Sequence, residues 1–450
     1  MRKFYLILPL FVSVFILKSQ NQEISDRIYE IVDKTSSDRL KTDVEKLVSF
    51  KTRHTLSDTI SKKKGIGAAR RWIKSEFERI SEDCGGCLEV FFIGDTIKKG
   101  TNSRITNDVF VSSVVAIQRG TDYPNRFVVM SGDIDSRVTD ANNFSDCSPG
   151  ANDNATGMAG ALEAARVLSK YQFKGSIIYA GLAGEEQGLF GGQIVAKEAL
   201  EQGWDIVGVL NNDMIGNIEG VDGVIDNRTF RVFSEPTPVT ESEQQRKRRR
   251  YYGGEVDGVS RQLARYIHKT TQMYMPEMNP MMVYRLDRFG RGGHHRPFND
   301  VGFAGVRIME AHENYNRQHQ DVREENGIKY GDVIEGVDFE YCKKLTTVNA
   351  INLASLAMAP EAPKNVKIGG IVEPSAKLSW DQSDDPNIAG YKIYWRLTTS
   401  PTWDMSRYVG KLNAFTLEGI VIDNFFFGVA AVGKDGVESI VSFPGDVIRD

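Results

Sequence analysis

Cysteine is scarce, at four in 450 residues. So low a count excludes a disulfide-built scaffold. It also leaves the single C-x-x-C pair, Cys84 and Cys87, without the second pair that a zinc ribbon needs. The strand-like run LEVFFI follows that pair where a thioredoxin-type redox site would place a helix. A local structural disulfide is the remaining expectation for Cys84 and Cys87, with Cys147 and Cys342 unassigned. Excess positive charge is missing too: the formal net charge is −4, which argues against a general nucleic-acid binder. The one basic run, RKRRR at Arg246 to Arg250, reads as a solvated loop. Past the first twenty residues, no apolar run approaches the length that spans a bilayer.

The chain begins with a basic start, Arg2 and Lys3, and an apolar run from Phe4 to Leu17. That run is short for a membrane span and suits a secretory signal over residues 1–20. The expectation is a secreted or periplasmic protein with no stable membrane insertion after signal removal. No cysteine follows the run, so no lipid anchor is expected there.

With 41% hydrophobic and 26% charged residues, the remainder is of ordinary globular composition and long enough for two or three domains. Residues 23 to about 82 read as helical. Short apolar runs then alternate with helical patterns: CLEVFFI, VFVSSVVAI, RFVVMSGDID, GSIIYAGLAG, DIVGVLNNDMIG and GFAGVRIMEA against ATGMAGALEAARVLSKY, GGQIVAKEALEQG and GVSRQLARYIHKTTQ. This alternation predicts an α/β domain over residues 21–360, with a sheet that is parallel in its middle. After Pro360 and Pro363 the pattern changes to short alternating strands, which predicts a small all-β sandwich over residues 361–450. Trp380, Tyr391 and Tyr394 are the expected core aromatics. Through LSW, GYKIYWR and FFFGVAAVGKDGVES this segment resembles a fibronectin type III domain, a module that mostly serves as spacer or adhesion surface.

Five short motifs follow the ends of predicted strands in the first domain: SGDIDS, PGANDN, AGEEQG, LNNDMIG and RQHQD. In an open α/β sheet that edge is where ligands bind. Carboxylates gathered there repel one another unless protons or metal neutralise them. Glu185 and Glu186 are adjacent, so one can hold a metal while the other moves a proton. Any one motif alone reads as a polar loop or a helix cap; their order and strand context set them apart.

Carried by SGDIDSR, PGANDNATG, AGEEQGLFGG, NNDMIGN, DRFGRGGHHRPF and NYNRQHQD, residues 30 to 358 resemble the co-catalytic di-zinc exopeptidases. That family includes bacterial leucyl aminopeptidase and glutamate carboxypeptidase. The resemblance implies a three-layer α/β/α sandwich with a mixed sheet. It implies an exported zinc exopeptidase, an aminopeptidase acting on peptide N-termini, with Glu185 as general base. Glu186 and His319 would bind one zinc, Asp213 the other, and Asp135 would support the site from behind. The family expects histidine at Asp133, a bridging aspartate at Asn152, and an acid at His294. An amide is a poor bridge and an oxygen-only site suits harder ions. The departures therefore imply one tightly held zinc, a doubtful second site, and slow hydrolysis. The competing expectation is a catalytically inactive peptidase fold that binds a partner or peptide, for which the transferrin receptor is precedent within the family. Glycan adhesion through the C-terminal segment is a third.

Overall fold

The computed structural model describes residues 25–448, so the expected signal segment, residues 1–20, lies outside the described residues. Eight strands form the main sheet: β1 Leu88–Ile97, β2 Val109–Gln118, β3 Tyr123–Asp133, β4 Gly175–Leu182, β5 Asp205–Asn212, β6 Thr229–Ser234, β7 Asn279–Val283 and β8 Gly305–Glu310. Their order is β1-β2-β4-β3-β5-β8-β6-β7. The four central strands, β4-β3-β5-β8, run parallel. The flanking pairs β1–β2, β2–β4 and β6–β8 are antiparallel.

Strand alternation explains the layers. In β3, Val128 and Met130 join one apolar cluster while Phe127 and Val129 join another. In β4, Ile177 and Tyr179 face the first cluster, and Ile178, Ala180 and Leu182 the second. Helices 65–83, 157–168, 259–274 and 339–358 supply the first layer, and helix 190–201 with Phe298 the second. The sheet is thus covered on both faces, as the apolar runs of its central strands require. The sequence pattern missed β6 and β7, the last two strands at one end of the sheet, set between polar stretches. The basic run forms an exposed helix, Glu243–Tyr252, where a loop was expected. It starts at a capping box in which the Ser242 side chain accepts from Gln245 N–H and the Gln245 side chain accepts from Ser242 N–H.

Cys84 and Cys87 are bonded to each other, Cys147 is exposed and Cys342 buried, both as free thiols. No helix among the described residues is long and apolar enough to cross a membrane.

Helix Phe339–Met358 closes the first domain, and strands resume at Lys367. The C-terminal segment is a sandwich of a four-stranded and a three-stranded sheet, closed over Trp380, Tyr391, Ile393, Phe427 and Val429. Tyr394 departs from the expectation. It lies three residues after Tyr391 on strand Ile388–Leu397, so it projects from the opposite face. That face, with Lys392 and Arg396, is docked on helix Val259–Tyr274 of the first domain. There Lys269 pairs with Glu438 at 2.5 Å and donates to Tyr394 at 2.7 Å. Asp257 accepts from Arg396 at 2.9 and 2.8 Å and pairs with Arg265 at 2.6 Å.

Candidate active site

The site lies where the central strands end. β3 runs into Asp133 and Asp135, β4 into the turn with Glu185 and Glu186, β5 into Asp213, and β8 leads on toward His319. Parallel strands present their carboxyl ends to one edge, so Glu186 and His319, 133 positions apart in sequence, become neighbours.

Two buried anchors shape the turn after Pro149. The Arg53 guanidinium donates to the carbonyls of Ile134, Pro149 and Gly150 at 2.8, 2.6 and 2.8 Å. The Asp332 carboxylate accepts the backbone N–H groups of Asn152 and Asp153 at 2.8 and 2.7 Å. Held this way, Asn152 and Asp153 point to different places. Asn152 donates to both oxygens of Glu310 at 3.1 and 2.9 Å and accepts from Gly216 N–H at 2.9 Å. Asp153 instead reaches His319, whose Nε2 is 2.9 Å from Asp153 Oδ2 and 2.9 Å from Glu186 Oε1.

Asp153, Glu186 and His319 thus form one group, each with a ligand atom within 4.8 Å of the others. Asn152, expected as a ligand, does not join this group. Consecutive residues on a tight turn diverge, and the carboxylate in that place belongs to its neighbour. The departure expected at 152 therefore falls on a side chain outside this group.

Arg137 ties the group together. Its Nε donates to Glu186 Oε2 at 2.8 Å and its Nη2 lies 2.6 Å from His319 Nδ1. Burial opposes charge on the imidazole, but Glu186 and Asp153 overcome it and raise its proton affinity. Nδ1, facing the Arg137 guanidinium, can accept from it only when it carries no proton. Nε2 faces the two carboxylates.

Asp135 accepts the N–H groups of Glu185 and Glu186 at 3.1 and 3.0 Å. It fixes the first turn after β4 and so aims both glutamates. The Glu185 carboxyl is raised well above its ordinary value, first by burial and then by Glu186 and Asp213. Glu185, Glu186 and His319 line a cleft of about 560 Å³. Three non-glycine residues around the site hold left-handed backbone: Leu189 (φ 62°), Met214 (φ 66°) and His319 (φ 54°). Such conformations persist where surrounding contacts over-determine them.

Asp133 and Asp213 are not among these three ligands, though their carboxylates lie close enough to act on Asp153 and Glu185. Asp133 accepts from Asn154 at 2.7 Å and meets His294 Nδ1 at 2.5 Å. An imidazole and a carboxylate thus touch, at the two positions where the resemblance leads one to expect a histidine and an acid. Asp213 Oδ2 pairs with buried Arg307 at 2.8 Å, and Arg307 also meets Asp287 at 3.3 Å. Among the described residues no second group of three ligands comes together. The sequence reading missed Asp153, Arg137 and Arg307. Asp153 lay inside a quoted motif, one position from the residue chosen. Arg137 follows SGDIDS directly, and Arg307, on β8, carried no signal.

The profile described as Peptidase family M28 matches residues 113–333. The chain is 41% identical over 423 residues to a probable zinc metalloprotease of Leptosphaeria maculans, covering 93% of this chain and 97% of that one. It is 40% identical over 426 residues to a probable zinc metalloprotease of Pyrenophora teres f. teres, covering 94% and 88%. Among solved structures it is similar in fold to the LapA aminopeptidase of Legionella pneumophila, with a TM-score of 0.55 at 20% identity over 76% of this chain and 77% of that one.

Proposed function

Because the chain belongs to peptidase family M28, we propose that it is a zinc-dependent exopeptidase removing N-terminal residues from peptides. The observation that carries this reading is Glu185 beside the part-buried Asp153–Glu186–His319 group at the wall of one open cleft. One imidazole nitrogen and two carboxylate oxygens are a donor set that fits zinc with room for further ligands. A zinc held there would polarise the scissile carbonyl and lower the pKa of water. Asp133 and Asp213 lie outside that group, Asp133 against the His294 imidazole, which burial keeps from taking up a proton, and Asp213 against Arg307. We assign one ion per chain.

The chain's own residues supply the rest. Asp135 holds the 185–186 turn so that Glu185 faces the cleft. Glu185, with its raised proton affinity, takes a proton from the attacking water and returns it to the departing amine. Arg137 keeps Glu186 and His319 in one geometry, and the Asp332 carboxylate keeps Asp153 turned toward them. Export is part of the proposal and is supported by the basic start and apolar run at residues 2–17.

The test is Glu185→Gln in the purified protein, with zinc counted by mass spectrometry and leucyl-amidomethylcoumarin as substrate. The variant should retain its zinc and lose about 10²–10⁴-fold in kcat, the range of a general base. Turnover equal to the parent's would refute the assignment of Glu185. A parent that holds zinc and cleaves no aminoacyl substrate would leave the partner-binding reading.

A further inference from the structure

The cleft beside Glu185 is walled by guanidinium groups. Arg104, Arg137, Arg291 and Arg296 all line it, against Glu185, Glu186 and Asp300 as carboxylates. Two of the four arginines are committed to acids. Arg137 pairs with Glu186, and Arg291 reaches Glu313 at 3.5 Å and Gln318 at 3.2 Å.

The other two have no acidic partner among the described residues. Arg104 donates only to the backbone carbonyl of Glu186. The Arg296 side chain has no hydrogen bond or ion pair, and its Nε is buried without an acceptor. A buried guanidinium N–H without an acceptor is costly unless something completes it. Arg296 also packs closely on the cleft wall. Its chain lies over Gly292, where a Cβ would come within 2.9 Å of Nη1 and 3.0 Å of Cδ. Glycine at 292 leaves room for the Arg296 side chain against the cleft wall. A planar fork with open donors beside the reacting groups matches a carboxylate, which can accept two parallel N–H bonds.

We propose that the cleft selects peptides presenting a carboxylate next to the cleaved bond, received by Arg296 with help from Arg104. This inference rests on the exopeptidase reading of the same site. Two sources carry that chemistry: the side chain of an acidic N-terminal residue, or the terminal carboxylate of a dipeptide. The same wall repels N-terminal lysine and arginine side chains.

The experiment compares two matched pairs on the zinc-loaded full chain. The first is glutamyl- against glutaminyl-amidomethylcoumarin, and the second is Leu-Leu against Leu-Leu amide. At least one carboxylate-bearing member should be preferred by about tenfold or more in kcat/KM, with the difference in KM, as for a hydrogen-bonded charge pair. Arg296→Gln should bring that ratio near one, Arg296→Lys should restore part of it, and Arg104→Gln should lower it less. The first pair responding assigns the carboxylate to the side chain, the second to the peptide terminus. Calorimetric titration of the same four compounds into zinc-loaded Glu185→Gln protein reads affinity without turnover. An Arg296-dependent preference there, with no hydrolysis by the parent, would keep this inference and remove the exopeptidase reading. Ratios near one within both pairs, or a preference that survives Arg296→Gln, would overturn the inference and leave the exopeptidase reading in place.

Discussion

Replacing Asp257 by asparagine should loosen the joint between the two domains. The Asp257 side chain is 0% exposed, and those of Arg265 and Arg396 are 1% exposed. One carboxylate thus neutralises two buried guanidiniums, one from each domain, and it also accepts from Gln262 at 3.0 Å. Asparagine keeps a single oxygen, and its amide N–H groups would face donors. Removing one partner of a buried ion pair costs about 3–5 kcal/mol, because the remaining charge stays out of water. Here two such charges remain, so the upper part of that range applies. Trp403 reports the event directly: its ring lies under Arg396 at 5.3 Å and Arg265 at 5.8 Å, and its N–H donates to Gln262 at 3.2 Å. Guanidinium-chloride unfolding followed by tryptophan fluorescence should shift the sandwich transition by that amount and separate it from the first domain's. Cleavage near residues 359–364 under limited proteolysis should rise in parallel. Arg396→Met in the same chain should recover part of the loss, since it removes one stranded charge. A change below about 1 kcal/mol with no new cleavage would refute the argument that this cluster holds the domains together.

Two neighbouring substitutions separate the roles of Asn152 and Asp153. Asp153→Asn should lower zinc content measured by mass spectrometry. Asn152→Asp should leave zinc content alone yet destabilise the fold by about 2–3 kcal/mol, because it sets a second carboxylate against Glu310. A gain in zinc from Asn152→Asp would restore position 152 as a ligand. The domain joint should also be acid-sensitive. Burial alone would push the Glu438 carboxyl up, but Lys269 and Lys392 outweigh it and hold it down from 4.5 to about 2. A depressed folded-state value contributes stability above pH 4.5 that is lost as pH falls through about 2. The full loss is about 3 kcal/mol, and Glu438→Gln should flatten the profile over that window in thermal unfolding.

The sequence by itself determined the layers and the membership of the site edge. Continuous apolar runs such as Ser176–Leu182 can be buried only in a sheet covered on both faces, and their alternation with helical patterns sets the parallel centre. The change of period after Pro363 marks the sandwich. Motifs at strand ends brought Glu186 and His319 to notice, and the structure places them 2.9 Å apart. What the tertiary structure alone decided is which atoms face one another. Asn152 and Asp153 are equivalent as letters, and only Asp332 and Arg53, distant in sequence, turn one to Glu310 and the other to His319. Asp133 reads as a lost ligand until His294 is found against it. Tyr391 and Tyr394 look alike along the chain, yet strand pleating sends one into the sandwich core and the other to the domain joint. Pattern along a chain reports burial and period, which are local averages. Ligand geometry and charge compensation depend on contacts between residues more than a hundred positions apart, and these exist only once the sheet has assembled.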